Sequence, residues 1–216
     1  MHWRKTRQSS CQERRTPAAH GYHRGMFSYR HAFHAGNHAD VLKHAVLIAT
    51  LQYLTEKDAA LTVLDTHAGA GLYRLDGDYA RTSGEASEGI LKLTAADAPG
   101  AALVPMLQEY VDTVRAFNQG SGTKVYPGSP FIIQRLLRAH DKLKLFELHP
   151  TDLRALAGNV AQLDAGRQVA VLHEDGFEGI KKFLPPPARR ALVLCDPSYE
   201  MKSDYGKVLD MVQDAL

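Results

Sequence analysis

Cysteine is almost missing from this chain: Cys11 and Cys195 are the only two, one in a polar stretch and one inside an apolar run. So placed, they build no disulfide framework, and a reducing cytoplasm is the expected compartment. Long apolar runs are missing as well. The longest candidate, residues 46–54, is interrupted by Thr50 and Gln52 and falls short of the ~20 residues that span a bilayer, so no membrane is expected as a partner. Nor is there a bulk excess of basic charge. The chain carries a net +2, but residues 1–25 hold Arg4, Lys5, Arg7, Arg14, Arg15 and Arg24 against Glu13, a net +5, which leaves −3 on the rest. A nucleic-acid partner must then be argued from local groups: Arg30, Lys43 and four histidines within residues 30–44, Lys181-Lys182, and Arg189-Arg190. These also read as ordinary solvated charges. Residues 1–25 lack both hydrophobic periodicity and the apolar core of a secretory signal, so a disordered basic extension is expected there. A start at Met26 explains it better than a transit peptide or a nucleic-acid-binding arm.

What is present, at 216 residues and 44% hydrophobic content, suffices for one large domain or one domain with an insertion. Ala191-Leu192-Val193-Leu194-Cys195 reads as a strand buried on both faces at the centre of a parallel sheet. Asp196-Pro197-Ser198-Tyr199 follows it. Pro197 cannot donate to a ladder and biases Asp196 toward extended geometry. A carboxylate, a carbonyl and an aromatic ring therefore project from the carboxyl end of the strand, the edge where open parallel sheets bind ligands. Leu61-Thr62-Val63-Leu64-Asp65 is a second strand, running through Thr66-His67-Ala68 into Gly69-Ala70-Gly71. Glycines there let backbone approach a ligand closely, although a tight strand-to-helix turn needs them too. Leu143 to Phe146 is a strand ending at Glu147, and Val169 to Leu172 is another, leading to Asp175-Gly176.

Helical signals separate these strands. Asn37 or His38 caps a helix through Val41, Leu42, Ala45, Val46, Ile48 and Leu51 to about Leu54. Ser129 or Gly128, with Pro130 in the first turn, opens another. Between residues 72 and 124 the pattern predicts a small inserted helical subdomain, with helices near 88–94 and 102–117; Leu103, Met106, Leu107, Tyr110, Val111, Val114 and Phe117 form one apolar face that reads as core. Strands alternating with helices predict an α/β fold with a parallel sheet and right-handed crossovers, built from residues 26–71 and 125–216. His34, His38, Asp40 and His44 are close enough in sequence to consider a metal. They match no fixed ligand spacing, so no metal is expected.

Asp196-Pro197-x-Tyr199 resembles the Asp/Asn-Pro-Pro-Tyr/Phe motif of adenine-N6 methyltransferases that use S-adenosylmethionine. From Met26 on, the chain is similar to the large-subunit ribosomal RNA methyltransferase J family. The blocks that carry the resemblance are Ser28-Tyr29-Arg30-His31, His34-Ala35-Gly36-Asn37-His38-Ala39-Asp40-Val41-Leu42-Lys43-His44, Asp65 through Gly71, Tyr126-Pro127-Gly128-Ser129-Pro130, Glu147-Leu148-His149-Pro150, Asp175-Gly176 and the Asp196 motif. The resemblance implies a Rossmann-like class I methyltransferase sheet and N6-methylation of one adenine of 23S rRNA in the cytoplasm. His44, His67, Gly69, Ser129, Glu147, Asp175, Gly176 and Asp196 would line the S-adenosylmethionine site. Asp196 and Pro197 would accept the target amine, Tyr199 would stack on a flipped base, and Tyr29, His31 and Lys43 would close over the centre. The implied partner is 23S rRNA, free of ribosomal proteins or in an early assembly particle, and a monomer is expected.

Two departures stand out. The family has Pro where this chain has Ser198, which removes one rigid φ beside Tyr199. The chain also ends one helix past the motif, so the further strands with which class I methyltransferases close their sheet are expected to be missing. A catalytically impaired RNA- or S-adenosylmethionine-binding domain, and an adenine-N6 methyltransferase acting on DNA, are the alternatives.

Overall fold

A computed structural model describes residues 30–95, 102–120 and 122–216. The extension 1–25 and Tyr29 lie outside the described residues. Four parallel strands form the main sheet: β1 (Thr62–Asp65), β4 (Lys142–Phe146), β5 (Val169–Leu172) and β6 (Ala191–Leu194), in the order β5-β4-β1-β6. The chain steps outward from β1 to β4 to β5, then returns to the far side of β1 for β6. The strand order thus reverses between β1 and β6, and their carboxyl ends flank the crevice where such sheets bind ligands. Asp65 pairs in register with Leu194, so Asp65 and Asp196 end up on opposite lips of that crevice.

Alternation along the strands feeds two cores, one on each face of the sheet. Val63, Leu143 and Leu145 are buried in one cluster with Ala45, Ile48 and Leu51 of α1 (His38–Thr55), Val111 and Val114 of α4 (Pro105–Ala116), and Ile132 and Ile133 of α5 (Ser129–Leu136). Leu64 and Phe146 point the other way, into a smaller cluster with Phe177 of α7 (Gly176–Gly179) and Met211 of α8 (Ser203–Ala215). The remaining helices are α2 (Asp78–Ser83), α3 (Ile90–Thr94) and α6 (Pro150–Ala161). Among the described residues no helix is long and apolar enough to cross a membrane.

Helix α1 forms for reasons visible at both ends. The Asn37 side chain accepts the Asp40 N–H at 2.9 Å and caps its start. Its last turn is gripped by two arginines: Arg190 donates to the Leu54 carbonyl at 2.5 Å and Arg138 to the Thr55 carbonyl at 3.0 Å. Arg138 is itself held by the buried Asp141, which also accepts the Leu61 N–H at 2.8 Å. One clamp therefore ties the end of α1 to the start of β1.

Three expectations are corrected. β6 is not a central strand buried on both faces: it pairs with β1 on one side, has no strand on the other among the described residues, and its residues are half-buried or exposed. The apolar run reports burial against helices on both faces but says nothing about a neighbour at the edge. Residues 72–124 are not wholly helical, because β2 (Leu72–Arg74) pairs antiparallel with β3 (Val125–Pro127) and closes the segment at its neck. The helix expected near 88–94 is split at Gly89, whose backbone packs so tightly on Gly36 that an added Cβ would lie 2.1 Å from the Gly36 carbonyl.

Candidate active site

The crevice between β1 and β6 opens into two cavities that share a wall. The larger, about 330 Å³, is lined by His44, His67, Gly69, Ser129, Glu147 and Tyr73 among others. The smaller, about 230 Å³, is bounded by His34, Asn37, Pro197 and Tyr199. His31, Lys43, Asp196 and Ser198 border both.

At the centre of the shared wall the Lys43 ammonium lies 2.6 Å from Asp196 and 2.7 Å from Asp40. Asp40 is 2% exposed and also receives the Gly36 N–H at 2.9 Å and the His31 ring Nε2 at 3.0 Å. Burial alone would raise the Asp40 carboxyl, but His31 and Lys43 hold it well below the usual carboxylate range. Burial likewise works against the Lys43 charge, yet Asp40 and Asp196 overcome it and push its pKa above that of an ordinary lysine. A cation thus sits between a buried carboxylate and one that faces the cavities.

The larger cavity is bounded by strand ends. The Glu147 carboxylate, just past β4, accepts the Gly69 N–H at 2.8 Å and the His149 N–H at 2.6 Å, and burial raises it against those two donors. Gly69 adopts φ +61°, and an added Cβ would lie 2.2 Å from the Tyr73 hydroxyl, so only glycine fits this turn. His67 stacks edge-on against Phe177 at 4.9 Å, and its burial lowers its pKa despite Asp175 and Asp196. Asp65 is 1% exposed. Burial pushes it up to about 6 against the Ser129 hydroxyl and Lys43, and its Oδ2 has no hydrogen-bond partner among the described residues. His44 is fully buried and pushed down to about 3 by that burial and by Lys43. Its Nδ1 lies 2.7 Å from the Tyr126 hydroxyl, while its Nε2 is unpartnered among the described residues.

Most residues singled out from sequence therefore meet here. Two do not line either cavity: Asp175 caps α7 through the Phe177 N–H at 2.9 Å, and Gly176 packs under Thr66, both standing behind His67. The histidines considered for a metal are dispersed, His34 to Glu85 at 2.9 Å and His44 to Tyr126. Sequence reasoning missed Tyr73, whose hydroxyl accepts the Ala70 N–H at 3.1 Å and whose ring meets His31 at 5.2 Å. It also missed the part Asp40 plays under Lys43. Tyr73 is the direct partner of Tyr126 across the β2–β3 ribbon, so recognising that ribbon would have exposed Tyr73.

Comparison with known proteins bears on this geometry. Residues 58–216 match the model of the family described as ribosomal RNA large subunit methyltransferase D, RlmJ. The chain belongs to this family. It is 44% identical over 189 residues to ribosomal RNA large subunit methyltransferase J of Escherichia coli, and 42% identical over 191 residues to the protein of that name from Haemophilus influenzae. Each alignment covers 88% of this chain and 65% of the relative, so the chain spans just under two-thirds of the length of the curated relatives it matches. Protein LPL1258 of Legionella pneumophila, known from a crystal structure, superposes with a TM-score of 0.73 at 38% identity, over 84% of this chain and 64% of that one. The RlmJ family match begins at residue 58, beyond the histidine-rich segment that supplies His31, Lys43 and His44.

Proposed function

We propose that this chain transfers a methyl group from S-adenosylmethionine to N6 of an adenine in 23S rRNA. The observation that carries the reading is the wall shared by two cavities, with Asp196 facing both and the Asp-Pro-Ser-Tyr turn forming one side of the smaller. The larger cavity fits the methyl donor. It has the size of a small-ligand site, a carboxylate held by two backbone N–H groups and free to accept ribose hydroxyls, and a lining histidine, His44, whose buried Nε2 has no partner among the described residues. The donor, when bound, supplies an electrophilic methyl group on a sulfonium centre.

The chain's own residues do the rest. Gly69, Ser129 and His67 shape the cavity, with Asp175 and Gly176 fixing His67 from behind. In the smaller cavity Asp196 Oδ and the Pro197 carbonyl accept the two N–H groups of the target amine. Holding both draws its lone pair out of the ring and aims it at the methyl group. Tyr199, 39% exposed, offers its face to a base drawn from its stack. Lys43 must release Asp196 for this, and Asp40 keeps the ammonium paired when it does. Positioning supplies most of the acceleration, and no covalent enzyme intermediate is needed. The RNA is free of ribosomal proteins or in an early assembly particle, and the protein acts as a cytoplasmic monomer.

The test is transfer of labelled methyl to protein-free 23S rRNA, by this chain and by a version extended to the length of its relatives, followed by digestion to nucleosides. Label on adenine N6 that disappears with Asp196→Ala is the expected result. Folded protein of both lengths that binds S-adenosylmethionine yet labels no adenine would overturn the reading.

A further inference from the structure

We propose that Asn37 reads the ring of the target base: the second hydrogen of its side-chain amide donates to a ring nitrogen that flanks the adenine amine, and Glu85 of the inserted segment locks the amide in the orientation this requires. The proposal rests on the smaller cavity being the adenine site; the orientation of the amide does not.

The Asn37 amide is held from both ends. Its Oδ1 accepts the Asp40 N–H at 2.9 Å at the start of α1, and its Nδ2 donates to Glu85 Oε2, also at 2.9 Å. A backbone N–H only donates and a carboxylate only accepts, so exchanging the amide oxygen and nitrogen would break both bonds. Glu85 is tied in turn to the His34 ring, whose Nδ1 lies 2.9 Å and 3.0 Å from its two oxygens. The Asn37 amide, and after it the His34 ring, hold the Glu85 carboxyl below its usual range, which keeps it an acceptor. The inserted segment grips the same loop through its backbone: the Ile90 N–H reaches the Gly36 carbonyl at 2.8 Å, and the Ser83 hydroxyl reaches the Phe33 carbonyl. Capping α1 does not by itself call for asparagine, since Ser or Asp caps a helix as well. Asp would set a second carboxylate against Glu85, and Ser has no amide nitrogen to offer.

An amide nitrogen carries two hydrogens, and Glu85 takes one. The other engages none of the described residues. Asn37 borders the smaller cavity together with Asp196, Pro197 and Tyr199. On the proposed function Asp196 and the Pro197 carbonyl are the acceptors for the amine, and two acceptors recognise an amine whatever ring carries it. A fixed donor beside them reads the ring. Adenine places an acceptor nitrogen on each side of its amine, N1 and N7, and an asparagine N–H to N7 recurs where proteins read adenine. Asn37 is therefore a specificity-determining residue. Glu85 borders neither cavity and acts through Asn37 as a positioning residue.

The test titrates adenosine monophosphate and its 1-deaza and 7-deaza analogues, in which a C–H replaces one ring nitrogen, into the full chain. Binding and the Asn37 side-chain amide signal are followed by nitrogen-15 NMR. One analogue should bind about tenfold more weakly than the parent, because it sets a C–H against the Asn37 donor, and should leave the amide signal unshifted. Asn37→Ser, which keeps a helix cap, should bind all three alike. Glu85→Gln, which leaves one oxygen to serve two donors, should narrow the distinction to about threefold and serves if the first variant does not fold. Equal binding of the three by the wild type, or an undiminished distinction in a folded variant, would overturn the proposal. A distinction that depends on Asn37 in a chain that labels no adenine would uphold the contact and reject the proposed function; label on adenine N6 without the distinction would do the reverse.

Discussion

The larger cavity adds to the wall it shares with the smaller one a set of strand ends and the backbone turns that follow them, whereas the smaller is bounded by a short 3₁₀ turn at His31–Phe33, the start of α1 and the loop after β6 alone. In the first, Glu147 is anchored by two backbone N–H groups, Gly69 admits no side chain, and His44 is buried where its charged form is disfavoured; Asp65, at the end of β1 beside this cavity, is buried likewise. In the second, Asp196 keeps 42% of its side chain exposed and Tyr199 adopts φ +54°, a left-handed conformation that costs a non-glycine residue energy. On the proposed function, the larger cavity gains from pre-organisation around a small ligand, whereas the smaller has to stay open on one side to admit a base, and its Tyr199 ring lies against Tyr205 at 4.8 Å. Asp40 and Lys43 stand where the two regimes meet.

Stability measurements can break this contrast. Asp40→Ala should cost the most, about 3–5 kcal/mol in urea denaturation, because it removes a buried carboxylate that holds Lys43 and His31, leaves Lys43 with Asp196 alone, and leaves the Gly36 N–H unsatisfied. A loss below about 1 kcal/mol would show that the shared wall does not depend on Asp40. Asp65 comes next and has the opposite sign. Its folded pKa of about 6 lies above the unfolded value near 3.9, so between those values the folded state binds more protons than the unfolded state. Its contribution to stability therefore falls as pH rises through that window and stays low above it. Asp65→Asn should recover at most about 3 kcal/mol at pH 7 and almost nothing at pH 4, as read from unfolding curves at the two pH values.

A smaller loss is expected from Gly176→Ala, whose Cβ would lie 2.2 Å from the Thr66 carbonyl. Overpacking backbone against backbone should cost about 1–3 kcal/mol and displace His67, a shift visible in that ring's NMR signals. Tyr199→Ala should change stability least, within about 0.5 kcal/mol, while methyl transfer loses roughly tenfold in kcat/KM through a missing stacking face worth about 1–3 kcal/mol. If Tyr199→Ala instead unfolds the protein, the smaller cavity is as rigid as the larger and the contrast fails.

Much of this arrangement was legible beforehand because it is written in local patterns. Short apolar runs mark each strand of the main sheet, apolar spacing of period 3.6 marks α1 and α4, and Gly128-Ser129-Pro130 announces α5; Asn37 announces the start of α1; and the acids Asp65, Glu147 and Asp196 each follow an apolar run, which places them at one edge of a parallel sheet. The β2–β3 ribbon and the break at Gly89 were not legible, since each depends on which distant backbone lies alongside. Sequence alone therefore determined the α/β class, the alternation of elements and the chemical types gathered at the strand ends, because periodicity and turn chemistry act over a few residues. Only the tertiary structure decided that Lys43 bridges Asp40 and Asp196, that Tyr126 stands behind His44, and that Asp175 supports His67 from outside the cavity. Those are contacts between residues far apart in the chain, and packing sets them where no local rule reaches.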